Sequence, residues 1–302
     1  MAPPARHARN LVVSIRRLSL NQATIKHADL ATALAVTSGA GIESIGLWRE
    51  PVAAVGLATA ATMLADSGLR FSSLCRTGFV TDAEGPARRA AIDENRRGID
   101  ETAALAAAGA PGSAAVLVIV AGGLPEGSRD LIGARERVAE ALDELAPHAA
   151  AAGVTLAIEP LHPMYASDRA VVSTLAQALD LASPFAPETV GVVIDSFHVW
   201  WDPALLPSIA RAGAEGRIAS YQACDWRTPL PADVLLSRVY PGEGMIDFGP
   251  MTRAVEHARY RGDIEVELFH AEIWADDPAA VAASTVRGFA AAVAPHLADS
   301  TS

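Results

Sequence analysis

The segment from Asp130 to Glu159, DLIGARERVAEALDELAPHAAAAGVTLAIE, holds one complete unit of the fold. Leu131, Val138, Leu142 and Leu145 recur at helical spacing and mark one face, with charged residues between them for solvent. Gly153 follows as the left-handed residue that ends a helix. Val154 to Glu159 is then a short apolar, β-branched run of strand length. Working outward, the same reading finds strands at Leu18 to Asn21, Ile42 to Trp48, Leu69 to Arg76, Ala114 to Ala121, Val190 to Asp195, Ile218 to Gln222 and Ile264 to Phe269. Helical stretches separate them, such as Pro86 to Gly109, where Ile92, Ile99 and Leu105 leave Arg96, Arg97 and Glu101 outside. Gly39, Gly41, Gly68, Gly109 and Gly262 stand before the following strands. Strict alternation predicts a parallel sheet, and eight units are the number at which it closes on itself. The expected fold is α/β, a (β/α)8 TIM barrel in a single domain over residues 11–296. Residues 1–10 are expected as a flexible N-terminal tail and 297–302 as a C-terminal tail. An open dinucleotide-binding sheet is disfavoured because Leu20, Asn21 and Gln22 stand where a Gly-rich turn would be, so no nucleotide cofactor is expected. The Pro- and Gly-bearing stretch Asp225 to Asp247 lacks helical periodicity and reads as an active-site loop.

Composition narrows the function. The 302 residues are 51% hydrophobic and 20% charged, with a formal net charge of −11. Such a chain folds, and its charge opposes binding to a phosphate backbone, since basic residues group only around Arg6, Arg9, Arg16 and Arg17. No nucleic acid partner is expected. No membrane partner is expected either, because apolar runs such as Ala114 to Ala121 fall far short of the ~20 residues of a membrane helix. Cys75 and Cys224 are too few for a disulfide framework and read as small buried hydrophobes, which fits a reducing cytoplasm. No signal peptide is evident. Trp200 and Trp201 read as core aromatics, as platforms for a ligand, or as an exposed apolar patch beside strand six suited to a homo-oligomer contact.

In a barrel of this type chemistry gathers at the C-terminal strand ends. Strand five closes on Glu159, strand six on Asp195, strand seven on Gln222, and strand eight carries Glu267. Alternation puts Thr155, Ala157 and Glu159 on the inward face, with Val193 and Asp195. Carboxylates converging on a partly dry barrel mouth repel one another, and a divalent cation compensates them. Glu159, Asp195, Gln222 and Glu267 supply oxygen ligands, a hard set suited to one Mg²⁺ or Mn²⁺, with Co²⁺ as a further candidate. Glu265 shares its parity with Glu267 and is the alternative ligand if the strand runs one pleat longer.

His162 and His198 each follow a strand-end carboxylate by three residues, where an imidazole can serve as acid or base near neutral pH. Because a metal-bound carboxylate is a weak base, His162 rivals Glu159 for proton abstraction. Asn21, Trp48 and Arg76 close strands one to three and are candidates for the wall and polar contacts around a small-molecule substrate. Gly122 and Gly123 after strand four read as a turn more than as a phosphate cradle.

The segments LAIEPLHP (Leu156 to Pro163), VIDSFH (Val193 to His198), GEGMID (Gly242 to Asp247) and IEVELF (Ile264 to Phe269) resemble the sugar phosphate isomerase/epimerase superfamily, the xylose isomerase-like TIM barrels. The resemblance covers nearly the whole chain. It implies one divalent metal held from strands five to eight, with Glu159 and Glu267 exchanging protons with a keto sugar. Gln222 stands where the family's usual histidine would be. The resemblance also implies His198 as a contact to substrate oxygen and Arg227 as the arginine that meets a substrate hydroxyl and steadies a glutamate. The expected activity is a metal-dependent isomerase or epimerase acting on a keto sugar or related polyol through an enediolate. The alternative is a lyase on the same scaffold, resembling inosose or dehydroshikimate dehydratases or enzymes that eliminate from 3-keto glycosides. The DNA-binding endonuclease IV branch is excluded by the few histidines at the strand ends and by the net charge.

Overall fold

The computed structural model describes residues 15–82 and 85–298. Residues 1–10 of the expected N-terminal tail, and 299–302 of the C-terminal one, lie outside the described residues. Eight parallel strands close into a barrel: β1 (Leu18–Asn21), β2 (Ser44–Trp48), β3 (Arg70–Cys75), β4 (Val116–Ile119), β5 (Thr155–Ile158), β6 (Val190–Asp195), β7 (Ile218–Gln222) and β8 (Ile264–Val266), with β8 pairing both β7 and β1. Helices such as Pro86–Ala108 and Leu131–Ala152 connect them on the outside. The second of these starts where the Asp130 carboxylate accepts from Gly133 N–H at 2.8 Å and stops at Gly153, with φ of 66°. Among the described residues no helix is long and apolar enough to cross a membrane.

Strand parity divides the apolar residues into two sets. Leu117, Ile119, Leu156, Ile158, Val192 and Ile194 join the continuous core beneath the helices. Val116, Val118, Ala157 and Val193 form a smaller cluster with Cys75, capped by Trp48, which is the barrel interior. The interior residues of β5 and β6 are therefore small, and the two carboxylates that follow Ala157 and Val193 at the same parity emerge above them.

Strand eight ends earlier than the sequence pattern indicates. Beyond Val266 a side chain replaces the ladder: the Thr24 hydroxyl donates to Val266 C=O and accepts from Leu268 N–H, both at 2.9 Å. Glu159 likewise follows the last residue of β5, its N–H still donating to Ile119 C=O at 3.0 Å. Both glutamates thus stand on the rim, held by backbone bonds.

Gly122 and Gly123 are packing residues. A Cβ at Gly123 would lie 2.4–2.5 Å from the Asp168 backbone, and one at Gly122, where φ is +102°, would lie 2.6 Å from Phe79 Cβ. Gly123→Ala is expected to cost about 1–3 kcal/mol in urea unfolding, because backbone rather than a flexible side chain must move. An unchanged midpoint would show that the Asp168 segment yields freely.

Candidate active site at the barrel mouth

The Asp225 to Asp247 connection is built on one buried carboxylate. Asp225 Oδ2 accepts from Gly242 N–H and Gly244 N–H at 2.9 Å, and Oδ1 accepts from Trp226 N–H at 2.8 Å and Ile246 N–H at 2.9 Å. A side chain at Gly244 would collide with that carboxylate, which accounts for the glycine in GEGMID. Asp225–Trp226 and Arg238–Val239 pair as a short antiparallel ribbon. The ribbon carries Arg238 back over the mouth.

Arg238 is the residue the sequence reading missed. Its Nη1 donates to Glu267 Oε2 at 2.7 Å and Asp195 Oδ2 at 3.2 Å, while Nη2 lies 2.9 Å from His198 Nε2. The guanidinium carbon sits 4.9 Å from the Phe197 ring centroid and 5.0 Å from that of Phe269, a cation–π sandwich in a water-poor site. The available signal was the run Ser237-Arg-Val-Tyr-Pro-Gly, in which an arginine stands in strand-like sequence just before the glycine turn.

Around this cation the carboxyls resist ionisation. Burial, together with the Asp195 and Glu267 charges, pushes Glu159 well above the ordinary carboxylate range. Glu267 is raised to about 7 by burial, with Arg238 acting against the rise. Asp195 is raised by burial and held down in part by Arg238. Burial and then the Arg238 charge push His198 well below its usual value, so its imidazole is neutral. His198 Nδ1 receives His162 N–H at 3.2 Å. A neutral imidazole has one acceptor nitrogen, so this ring satisfies either His162 N–H or Arg238 at a time.

Ligand atoms of Glu159, Asp195 and His198 all lie within 4.8 Å of one another. Gln222, in register with Asp195, has a buried Oε1 without a hydrogen-bond partner. An orphaned acceptor beside clustered carboxyl and imidazole donors fits a divalent ion.

The mouth opens into a cavity of about 360 Å³ whose lining includes Trp48, Arg76, Glu159, His198, Arg238 and Glu267. Asp195 and Gln222 are fully buried and do not line it. Three further candidates are placed elsewhere. Asn21 Nδ2 donates to Glu265 Oε2 at 2.8 Å and its Oδ1 accepts from Trp48 Nε1 at 2.9 Å, so it orients the Trp48 wall. His162 packs between Trp201 and Trp226, its Nδ1 accepting from Met164 N–H at 3.3 Å, and is not part of the cavity lining. Arg227 is exposed on the ribbon, with Nη1 3.0 Å from His270 Nε2, because strand alternation across the paired residues sends Arg238 inward instead. Glu265, the alternative to Glu267, is held by Asn21 and is also absent from the lining.

The expected exposed tryptophan patch is corrected. Trp200 and Trp201 are half-buried: Trp201 Nε1 donates to His198 C=O at 2.7 Å and Trp200 packs on Trp226, so both brace the site. Cys75 and Cys224 are buried as expected, and burial holds the Cys75 thiol protonated at the cavity wall.

The chain is similar to an inosose isomerase of Bacillus velezensis, 31% identical over 139 residues, which are 45% of this chain and 47% of that protein. It thus spans about half the length of the curated relatives it matches. Among solved structures, a protein of Sinorhizobium meliloti 1021 superposes with a TM-score of 0.86 at 44% identity, covering 92% of this chain and 98% of that one. The IolI protein with a binding zinc atom shares the fold, with a TM-score of 0.77 at 20% identity over 94% of this chain and 100% of that one. With the closed barrel and its acidic mouth in place, the sequence match over residues 34–290 completes the assignment: the chain belongs to the xylose isomerase-like TIM barrel family.

Proposed function

We propose that the protein is a divalent-metal-dependent isomerase or epimerase acting on a keto sugar or related polyol through an enediolate. One observation carries this reading: two buried glutamates, Glu159 and Glu267, line the same cavity, and burial raises the proton affinity of both in the metal-free site. Proton transfer at a carbon beside a carbonyl needs a base and an acid whose affinities lie near the working pH. Glu267, poised at about 7, can take the proton. Glu159, whose carboxyl burial also raises in the metal-free site, can return one to the opposite face, giving an epimer, or to the adjacent carbon, giving an aldose–ketose pair. Arg238 offers its remaining N–H groups to negative charge developing on substrate oxygen, and neutral His198 hydrogen-bonds another oxygen. The similarity to an inosose isomerase supports a cyclic or open-chain polyol ketone as substrate.

Glu159, Asp195, Gln222 and either Glu267 or His198 would hold the metal. When bound, it supplies a Lewis acid for the carbonyl and hydroxyl oxygens. The mainly oxygen donor set favours Mn²⁺ or Mg²⁺, with Co²⁺ next.

The test is solvent exchange. Protein loaded with Mn²⁺ in D₂O is expected to place deuterium on the carbon beside the carbonyl of an inosose or ketose. Removing the metal with a chelator is expected to slow this by at least about a hundredfold, since charge stabilisation of that order is lost. Absence of exchange with any divalent ion would refute the reading. An ultraviolet-absorbing unsaturated product would replace it with the lyase alternative.

A further inference from the structure

The outer part of the cavity carries a charge the proposed chemistry does not use. Arg76, Arg169 and Lys26 line it in a chain whose net charge is −11, and Glu50, which is exposed, is the one acidic residue of the lining apart from the two glutamates of the mouth. Arg76 is half-buried, its guanidinium carbon 5.0 Å from the Phe79 ring centroid. Among the described residues it has no carboxylate within ion-pair distance, whereas Arg17, Arg49, Arg70, Arg217 and Arg238 are all paired. Arg169 lies 5.8 Å from the Tyr165 ring centroid, its closest acid being exposed Asp168 at 3.7 Å. The supports of both are packed: Phe79 lies against Gly122, and Ala170 bridges Gly122. An arginine partly withdrawn from water without an anion carries a desolvation cost that a bound anion offsets.

Position and chemistry identify that anion. Arg76 follows β3 and Arg169 follows β5, on the wall across the barrel from Glu267 and Arg238, which come from β8 and the β7 connection. Phosphate sites in such barrels use backbone N–H groups after strands seven and eight. Here the lining on that side is Leu235, Arg238, Glu267 and Phe269. Guanidinium forks match carboxylate and phosphate oxygens alike, so it is the position of Arg76 and Arg169, away from the strand-seven and strand-eight side, that favours the carboxylate. We infer that the substrate carries a carboxylate remote from its carbonyl, held by Arg76 and Arg169, and so is a keto acid of the sugar or cyclitol series. The carbonyl end rests on the isomerase reading above; the carboxylate end rests on the cavity's own charges.

Three ligands with one skeleton test this: D-fructose, its 6-carboxylate D-fructuronate, and its 6-phosphate, each titrated by calorimetry into Mn²⁺-loaded protein. Fructuronate is expected to bind about 30-fold tighter than fructose, as a charge-assisted pair gives. Arg76→Gln is expected to bring that ratio below about 5, and Arg169→Gln, whose half-buried side chain keeps 39% of its surface in solvent, to lower it with less risk to folding. A ratio near one in the wild type, a ratio unmoved by both substitutions, or tighter binding of the 6-phosphate would overturn the inference. Deuterium exchange on the same ligands separates the two claims. Carboxylate preference without exchange defeats the isomerase reading alone, and exchange without preference defeats the carboxylate alone.

Discussion

Glu267→Gln is expected to slow proton exchange by about a thousandfold, the usual contribution of a positioned general base. The amide keeps the side chain's volume and one acceptor for Arg238 Nη1, yet it neither takes nor returns a proton. Burial places the Glu267 carboxyl at about 7 in the metal-free site, and a bound cation lowers it, so the wild-type rate of the Mn²⁺-loaded protein should rise with pH along a limb below 7 as the base ionises. In Glu267→Gln the residual rate should lose this limb while the melting temperature stays within a few degrees. The measurement is deuterium incorporation against pH, beside a thermal melt of each protein. A variant within tenfold of the wild type, or one retaining the pH limb, would transfer the base role to another group, with Glu159 next in line.

Arg238→Met should have the largest effect on stability. The methionine keeps an apolar stem between Phe197 and Phe269 but leaves Asp195 and Glu267 buried without their cation. Breaking a buried pair by removing one partner costs about 3–5 kcal/mol. The cost should depend on pH in a definite direction. Asp195, Glu159 and Glu267 all have folded-state values above their ordinary ones. A carboxyl raised on folding contributes stability that is fully present below the unfolded value and lost as pH climbs through the folded one. Metal-free wild type should therefore weaken from about pH 4.5 upward through 7. Because Arg238 holds Asp195 and Glu267 down, its removal raises both further, so the variant should lose more stability and go on losing it to higher pH. Urea unfolding of chelated protein at several pH values measures this, and a divalent ion should restore part of the loss by binding only the folded state. A deficit equal at acid and alkaline pH would mean that Arg238 acts through packing alone.

The aromatic surroundings of Arg238 explain why one side chain has so much influence. Phe197 lies two residues beyond Asp195, and Phe269 lies two residues beyond Glu267. The residues that lower the local dielectric are thus carried by the same strand ends as the acids they desolvate, and each electrostatic contact gains strength accordingly.

The fold and the acidic ring were legible in the chain itself because both rest on local order. Strand and helix runs alternate eight times, and parity along VTLAIE and VGVVID orients Glu159 and Asp195 once a barrel is assumed. The roles of Asn21, His162, Arg227 and Arg238 depended on tertiary structure. Asn21 closes a strand as expected, yet its amide is taken by Glu265 and Trp48, neighbours brought by β8 and β2. His162 has the right spacing from Glu159, but Trp201 and Trp226, tens of residues away, hold its ring outside the cavity. Arg227 and Arg238 lie in one irregular connection that sequence periodicity cannot orient. Four backbone N–H groups converging on Asp225 set its path and pair the ribbon, and that pairing puts Arg238 among the carboxylates and Arg227 in solvent. Periodicity determines which way a side chain leaves a strand; only long-range hydrogen bonds determine where a loop returns.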